Sequence, residues 1–343
     1  MKTETENLIE VLVTFPLTED LIQKIRDVSP RLHITVLPSR SPGEITDDIW
    51  RKTEILITER VLPSPEKVPA LRWIQFNFAG IDFALEEPVL AKPDLLISTL
   101  SGAAAPQVAE YALTMMLALS HRLPLLNGLQ RNHDWPPDRF VRLAPKEFRN
   151  STLGLVGYGS IGREIARLVQ PWDVKILACK KNVMNPADQG YIPAGLGDPE
   201  GNLFTRLYPF QAIKSMIKEC DFVVVSVPKT PETNHLIAEE EFTAMKTSAY
   251  LVDLSRGGIV KNQALRHALQ EKQIAGAVMD VFEQEPLPKD SNLWDLPNLI
   301  VTPHIAGVSI HYNQRSIQLI CENLKRYCMG NSMLNIFDRE SGY

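Results

Sequence analysis

The sequence predicts an α/β protein made of two doubly wound parallel sheets, with one domain inserted into the other. Three observations carry this. Short apolar runs alternate with helical patterns in two series, one long helix separates the series, and a three-glycine turn opens the second. At 343 residues the chain exceeds one ordinary core, and 44% hydrophobic with 22% charged residues fits a globular protein.

Residues 8–14, 32–37, 55–58, 73–76 and 95–98 are apolar runs rich in Ile, Leu and Val and read as strands. Helical patterns at 18–28 and 42–51 separate the early ones. From about Pro106 to Arg122 runs one long helix, with proline in its first turn, where a missing N–H costs nothing. The second series predicts strands at 152–156, 174–178, 222–227, 249–254, 276–282 and 299–302. Helices at 161–170, 209–219, 238–245 and 261–272 lie between them, the alternation of a parallel sheet covered on both faces. A last helix at 309–328 returns to the first unit. The domains expected are therefore 1–102 plus 308–343, and 103–307, with hinges near 102 and 307.

The stretch TLGLVGYGSIGREIARLVQ reads as a buried strand, then Gly157-x-Gly159-x-x-Gly162, then an amphipathic helix opening at Ser160 and Ile161. Gly157 permits the tight turn, Gly159 lets backbone approach a pyrophosphate, and Gly162 lets the helix pack close on the strand. The helix N-terminus adds unpaired N–H groups and a positive dipole for the anion. A dinucleotide-binding, Rossmann-like domain follows, with a flavodoxin-like or Rossmann-like unit before it. Residues 184–210 break the rhythm with four Pro and four Gly. Following the second strand of the series, they belong near the adenosine half of a dinucleotide, as a surface excursion, a subunit contact or a cofactor lid.

The formal charge of −5 and absence of a basic stripe exclude a nucleic-acid surface. No apolar run is long enough to span a bilayer, and MKTETENLIE has no apolar signal-peptide core, so neither membrane association nor export is expected. Cys179, Cys220, Cys321 and Cys328 show no C-x-x-C spacing. Cys321 and Cys328 are about 10 Å apart along a helix, too far for a disulfide, so thiols in a reducing cytoplasm are expected, and no metal.

Three titratable residues lie just past the last three strands: Arg256 in LVDLSRGGIV, Glu285 in AVMDVFEQEPLP and His304 in LIVTPHIAG. Ligands of doubly wound sheets bind outside the carboxyl ends of the strands. Hydride transfer to a ketone leaves an oxyanion that must be protonated, and imidazolium is suited to that near neutral pH. A carboxylate beside it favours the charged form and fixes the ring, and a guanidinium can grip a substrate carboxylate at two points.

GLVGYGSIGREIA, VVVSVPKTPETNHLI, LVDLSRGGIV and GAVMDVFEQEPLP…NLIVTPHIAG resemble the successive motifs of the D-isomer-specific 2-hydroxyacid dehydrogenases, from about Trp73 to Tyr327. The resemblance implies interconversion of a 2-keto acid and a D-2-hydroxy acid with NAD(P)H. Arg256 would bind substrate, His304 would act as acid/base, and Glu285 would raise the His304 pKa. It also implies a homodimer built through the nucleotide domain and a catalytic cleft between the domains. FNFAGIDFA resembles the segment whose amides hold the substrate carboxylate, pointing to Ala79 and Gly80, with Phe78 shaping the pocket. Asp280 matches the residue that contacts the nicotinamide carboxamide, and Pro228 and Thr230 fall in the loop lining the cofactor. An alternative on the same scaffold is a dinucleotide-sensing, corepressor-like binding protein.

One departure is informative. NAD-preferring sheets place an acid at the end of the second strand, about twenty residues beyond the glycines, for the ribose 2′-hydroxyl. Here that strand ends ILACKKN, with Lys180 and Lys181 and no Asp or Glu from Lys175 to Met184. Ammonium groups attract a 2′-phosphate, so NADP is expected over NAD.

Overall fold

The computed structural model describes residues 8–188, 190–340 and 342. Apolar strand sequences organise the chain into two compact units, one running to Ala104 and resuming at Ser309, the other covering Ala105–Val308.

In the first unit β1 (Ile9–Val13), α1 (Glu19–Arg26), β2 (Leu32–Val36), α2 (Asp47–Lys52), β3 (Ile55–Thr58), β4 (Trp73–Phe76) and β5 (Leu96–Ser98) follow in order. Their sheet is parallel in the order β2-β1-β3-β4-β5, the flavodoxin-like arrangement. β3 and β4 are buried along their whole length, as strands covered on both faces must be, which explains runs such as ILIT without alternation. The pattern at 42–51 forms a 3₁₀ turn at Pro42–Glu44 and then the short α2, because the proline and glycine at 42 and 43 delay the helix.

The second unit opens with α3 (Ala105–Ser120), then α4 (Leu123–Arg131) and α5 (Arg139–Arg142), two short helices that the sequence reading did not separate from loop. Then come β6 (Thr152–Val156), α6 (Ser160–Val169), β7 (Lys175–Cys179), β8 (Arg206–Tyr208), α7 (Ile213–Ile217) and β9 (Phe222–Val225). After these lie α8 (Glu239–Ala244), β10 (Tyr250–Asp253), α9 (Asn262–Gln270), β11 (Gly276–Met279) and β12 (Leu299–Val301). The order β12-β11-β10-β9-β6-β7-β8 is parallel throughout and reverses direction between β6 and β9. That reversal is the switch point at which such sheets bind ligands. β8, inside the 184–210 segment, was missed because a three-residue strand on a sheet edge has too little burial to pattern its sequence.

The chain returns to the first unit with α10 (Tyr312–Met329), which packs beside α1. Its Tyr327 stacks on Trp73 at 5.4 Å, and Gly330 ends it in the left-handed conformation. All four cysteines are free, and burial pushes the thiols of Cys179 and Cys220 up to about 12. Among the described residues no helix is long and apolar enough to cross a membrane, and no cluster of His, Cys, Asp or Glu could hold a metal ion.

Candidate active site

The glycine turn follows β6 at the switch point. Gly157 has φ of +103°, and a Cβ there would lie 2.9 Å from Ser226 O on the adjoining β9 connection. At Gly162 a Cβ would sit 2.3 Å from Gly157 O, so the helix touches the turn and only glycine fits. Gly159 differs, because no atom lies within 4 Å of a Cβ built on it. It is the N-cap of α6, no side chain caps the helix, and the first-turn residues Ser160 and Ile161 are half-buried. Uncapped N–H groups beside an open glycine surface are what a pyrophosphate requires. The residues present fit a dinucleotide.

Beyond β7 the two lysines separate. Lys180 Nζ donates to Asn185 O at 2.9 Å and Ala187 O at 3.2 Å, so it ties down the segment that follows; burial, and then the nearby Arg163 charge, lower its pKa. Lys181 is exposed, and its charge helps lower the Glu232 pKa. The segment after β7 is also latched to α6, through Pro186, Asp188 and Asp198. Arg163, buried directly after Gly162, donates to the carbonyls of Asp198 and Pro186, lies 3.3 Å from Asp188, and faces the Tyr158 ring. Asp198 accepts from Tyr158 Oη at 2.6 Å and from the amides of Gly201, Asn202 and Leu203 at 3.0–3.1 Å. The segment is a wall built onto the dinucleotide turn. Arg163 and Asp198 went unnoticed in the sequence; the one signal was an arginine placed immediately after the third glycine.

Arg256, Glu285 and His304 lie past the C-terminal ends of the adjacent strands β10, β11 and β12. His304 Nδ1 and Glu285 Oε2 are 2.8 Å apart, and Glu285 Oε1 accepts from Phe282 N at 3.0 Å, which fixes the carboxylate. A carboxylate only accepts, so the ring proton sits on Nδ1 and Nε2 is left for chemistry. The His304 side chain is 46% exposed, open enough to meet a substrate. Arg256 donates from Nη1 to Ser255 O at 2.9 Å. Its turn presses on the Glu285 turn, since a Cβ on Gly257 would lie 1.8 Å from Phe282 O. His304 and Glu285 thus meet directly, and Arg256 stands on the neighbouring turn.

Asp280 and Asp253 are buried at the ends of β11 and β10. Asp280 Oδ1 accepts from Thr302 Oγ1 at 2.6 Å and Ile305 N at 2.9 Å, and Oδ2 accepts from Ala306 N at 2.8 Å. Its carboxylate therefore serves the His304 turn. Asp253 Oδ1 accepts from Ser255 N and Oγ, and its buried Oδ2 has no hydrogen-bond partner. Burial pushes its carboxyl up to about 7, against the Ser255 hydrogen bonds and with help from the Asp280 charge. Pro228 is exposed, and its carbonyl accepts from Thr233 Oγ1, which also accepts from Thr230 N in one tight turn.

In the first unit Phe78, Ala79 and Gly80 lie one residue past β4, after Asn77, with Ala79 exposed. The Phe78 ring lies edge-on to Phe83 at 6.2 Å, and the Arg60 guanidinium lies 5.7 Å from Phe78 and 4.3 Å from Phe83.

Residues 113–306 match the family model for the NAD-binding domain of D-isomer specific 2-hydroxyacid dehydrogenases. The chain is 31% identical over 311 residues to a glyoxylate reductase of Thermofilum pendens, covering 90% of this chain and 81% of that one. It is 27% identical over 333 residues to a D-3-phosphoglycerate dehydrogenase of Methanocaldococcus jannaschii, covering 96% of this chain but spanning only 59% of that protein. A family protein of Aeromonas salmonicida, solved by crystallography, superposes with a TM-score of 0.74 at 27% identity over 96% of this chain and 99% of its own. Another, from Xanthobacter autotrophicus in complex with NADPH and MES, gives 0.78 at 23% identity, over 98% and 100%. With its nucleotide turn, parallel sheet and strand-end residues in place, the chain belongs to the D-isomer specific 2-hydroxyacid dehydrogenase family, whose members are NAD(P)-dependent oxidoreductases.

Proposed function

We propose that the chain reduces a small 2-keto acid to the D-2-hydroxy acid, with His304 as general acid and NADPH as the preferred cofactor. The reading is carried by the 2.8 Å contact of His304 Nδ1 with Glu285 Oε2 at the C-terminal edge of a dinucleotide-type sheet. Bound NADPH supplies the hydride. His304 Nε2 donates the proton to the carbonyl oxygen, while Glu285 holds the imidazole by its opposite nitrogen. Arg256 binds the substrate carboxylate, because a guanidinium can offer two parallel donors. Phe78, Ala79 and Gly80 keep their assignment to substrate recognition, supported by the exposed Ala79 just past β4. Pro228 and Thr230 line the cofactor.

The preference for NADPH rests on the ammonium groups after β7 and the lack of a carboxylate there. Lys181 is the phosphate ligand, and Lys180 holds the wall beside it. Glyoxylate is the first substrate to try, given the similarity to the T. pendens enzyme. A homodimer through the second unit is supported by Trp135, Phe140 and Val141, each at least 80% exposed and too apolar to be left in water.

Oxidation of NADPH and NADH is followed with glyoxylate, hydroxypyruvate and bulkier 2-keto acids. We expect turnover, a higher kcat/KM with NADPH, and a loss of about 10²–10⁴-fold in kcat for His304→Gln with dinucleotide affinity kept. A fully active His304→Gln overturns the mechanism, whereas a clear preference for NADH overturns only the lysine assignment.

A further inference from the structure

We infer that Tyr111, on α3, is a positioning residue for His304 that acts through the hydroxyl of Thr302 and the carboxylate of Asp280. This rests on His304 being the proton donor proposed above.

The atoms form one directed chain. Tyr111 Oη lies 2.5 Å from Thr302 Oγ1, which lies 2.6 Å from Asp280 Oδ1. A hydroxyl has one proton and a carboxylate only accepts, so Thr302 gives its proton to Asp280 and Tyr111 must give its own to Thr302. Burial pushes the Tyr111 phenol up to about 12; the Thr302 bond opposes this and the Asp280 charge reinforces it, so the donor keeps its proton at working pH.

The far end of the chain is the catalytic turn. Asp280 accepts from Ile305 N and Ala306 N with its carboxylate, and from His304 N at 2.9 Å with its backbone carbonyl. His304 is held between these anchors at φ of +54°, in the left-handed region. The three hydrogen bonds to Asp280 hold the turn in this conformation. Tyr111 determines whether Thr302 presents its proton to that carboxylate, because its own donated bond occupies the Thr302 lone pair facing α3. A helix of 16 residues thereby sets the rotamer of a side chain two residues before the acid.

The test is a cycle on these two hydroxyls. Tyr111→Phe is expected to lower kcat about five- to tenfold, the fold-change of one hydrogen bond, with KM and NADPH Kd (by fluorescence quenching) within about twofold. Thr302→Val costs more, Thr302→Ser restores near-parental turnover, and Tyr111→Phe/Thr302→Val is no worse than Thr302→Val alone, since Tyr111 then has nothing to donate to. In protein labelled at the histidine ring carbon, the His304 NMR signal shifts in Tyr111→Phe and stays in place in Thr302→Ser. An unchanged kcat in Tyr111→Phe, an equal loss in the Thr302→Val background, or a loss confined to NADPH Kd overturns the inference. Because the NMR signal needs no turnover, a failed assignment of the reaction and a failed assignment of Tyr111 give different results.

Discussion

His304 Nδ1 and Glu285 Oε2 stand 2.8 Å apart although 19 residues separate them in the chain, and Glu285 is itself held by Phe282 N. The carboxylate aims the imidazole by its Nδ1. Changing Glu285 to Gln removes the charge and keeps the shape. We expect kcat for reduction to fall about 10- to 100-fold, within the span of acid–base contributions. An unchanged kcat would show Glu285 to be a bystander.

Gly159 and Gly162 should respond in opposite ways to alanine. A methyl group at 159 meets nothing within 4 Å, so the fold should keep its melting temperature while NADPH Kd rises at least about tenfold, from lost approach to the pyrophosphate. At 162 the methyl would lie 2.3 Å from Gly157 O, and the fold itself should be weakened by about 1–3 kcal/mol. Melting curves and fluorescence titration separate the two effects.

Lys180 and Lys181 should also divide. Removing the Lys181 ammonium is expected to cut kcat/KM with NADPH about tenfold and leave NADH within twofold, the size of one lost charged contact. Replacing Asp198 by Ala strips four donors of their acceptor and should open residues 184–203 to a protease before the rest of the chain. Limited proteolysis with mass mapping reads the site of the first cut.

Asp253 gives a pH signature in stability. Its folded carboxyl titrates near 7 against 3.8 for an ordinary aspartate, so between these values the folded chain holds a proton that the unfolded chain has released. Stability from this group therefore declines as pH rises through that window, by at most about 1.4 kcal/mol per pH unit, and levels off above it. Asp253→Asn cannot titrate. The melting temperature of Asp253→Asn relative to the parent should climb between pH 5 and pH 7; a constant difference would mean that Asp253 is ionised throughout.

Much of the molecule could be read locally. A strand covered on both faces must be a continuous apolar run, as in FVVV at 222–225, and a dinucleotide turn must place glycines where a Cβ would strike backbone. Parallel connectivity puts every strand end on one edge, which is why Arg256, Glu285 and His304 could be nominated together from their positions after three strands. These features are dictated by steric exclusion and burial acting over a few residues, so the sequence alone determined them. Side-chain partners were decided only by the tertiary structure. Nothing near Lys180 announces that its ammonium is spent on Asn185 and Ala187, nor does anything near Asp280 show that its carboxylate faces the 302–306 turn. Tyr111 and Thr302 meet across 191 residues. A hydrogen bond depends on direction and on fractions of an ångström, and those are set by how packed elements align, which no periodicity along the chain encodes.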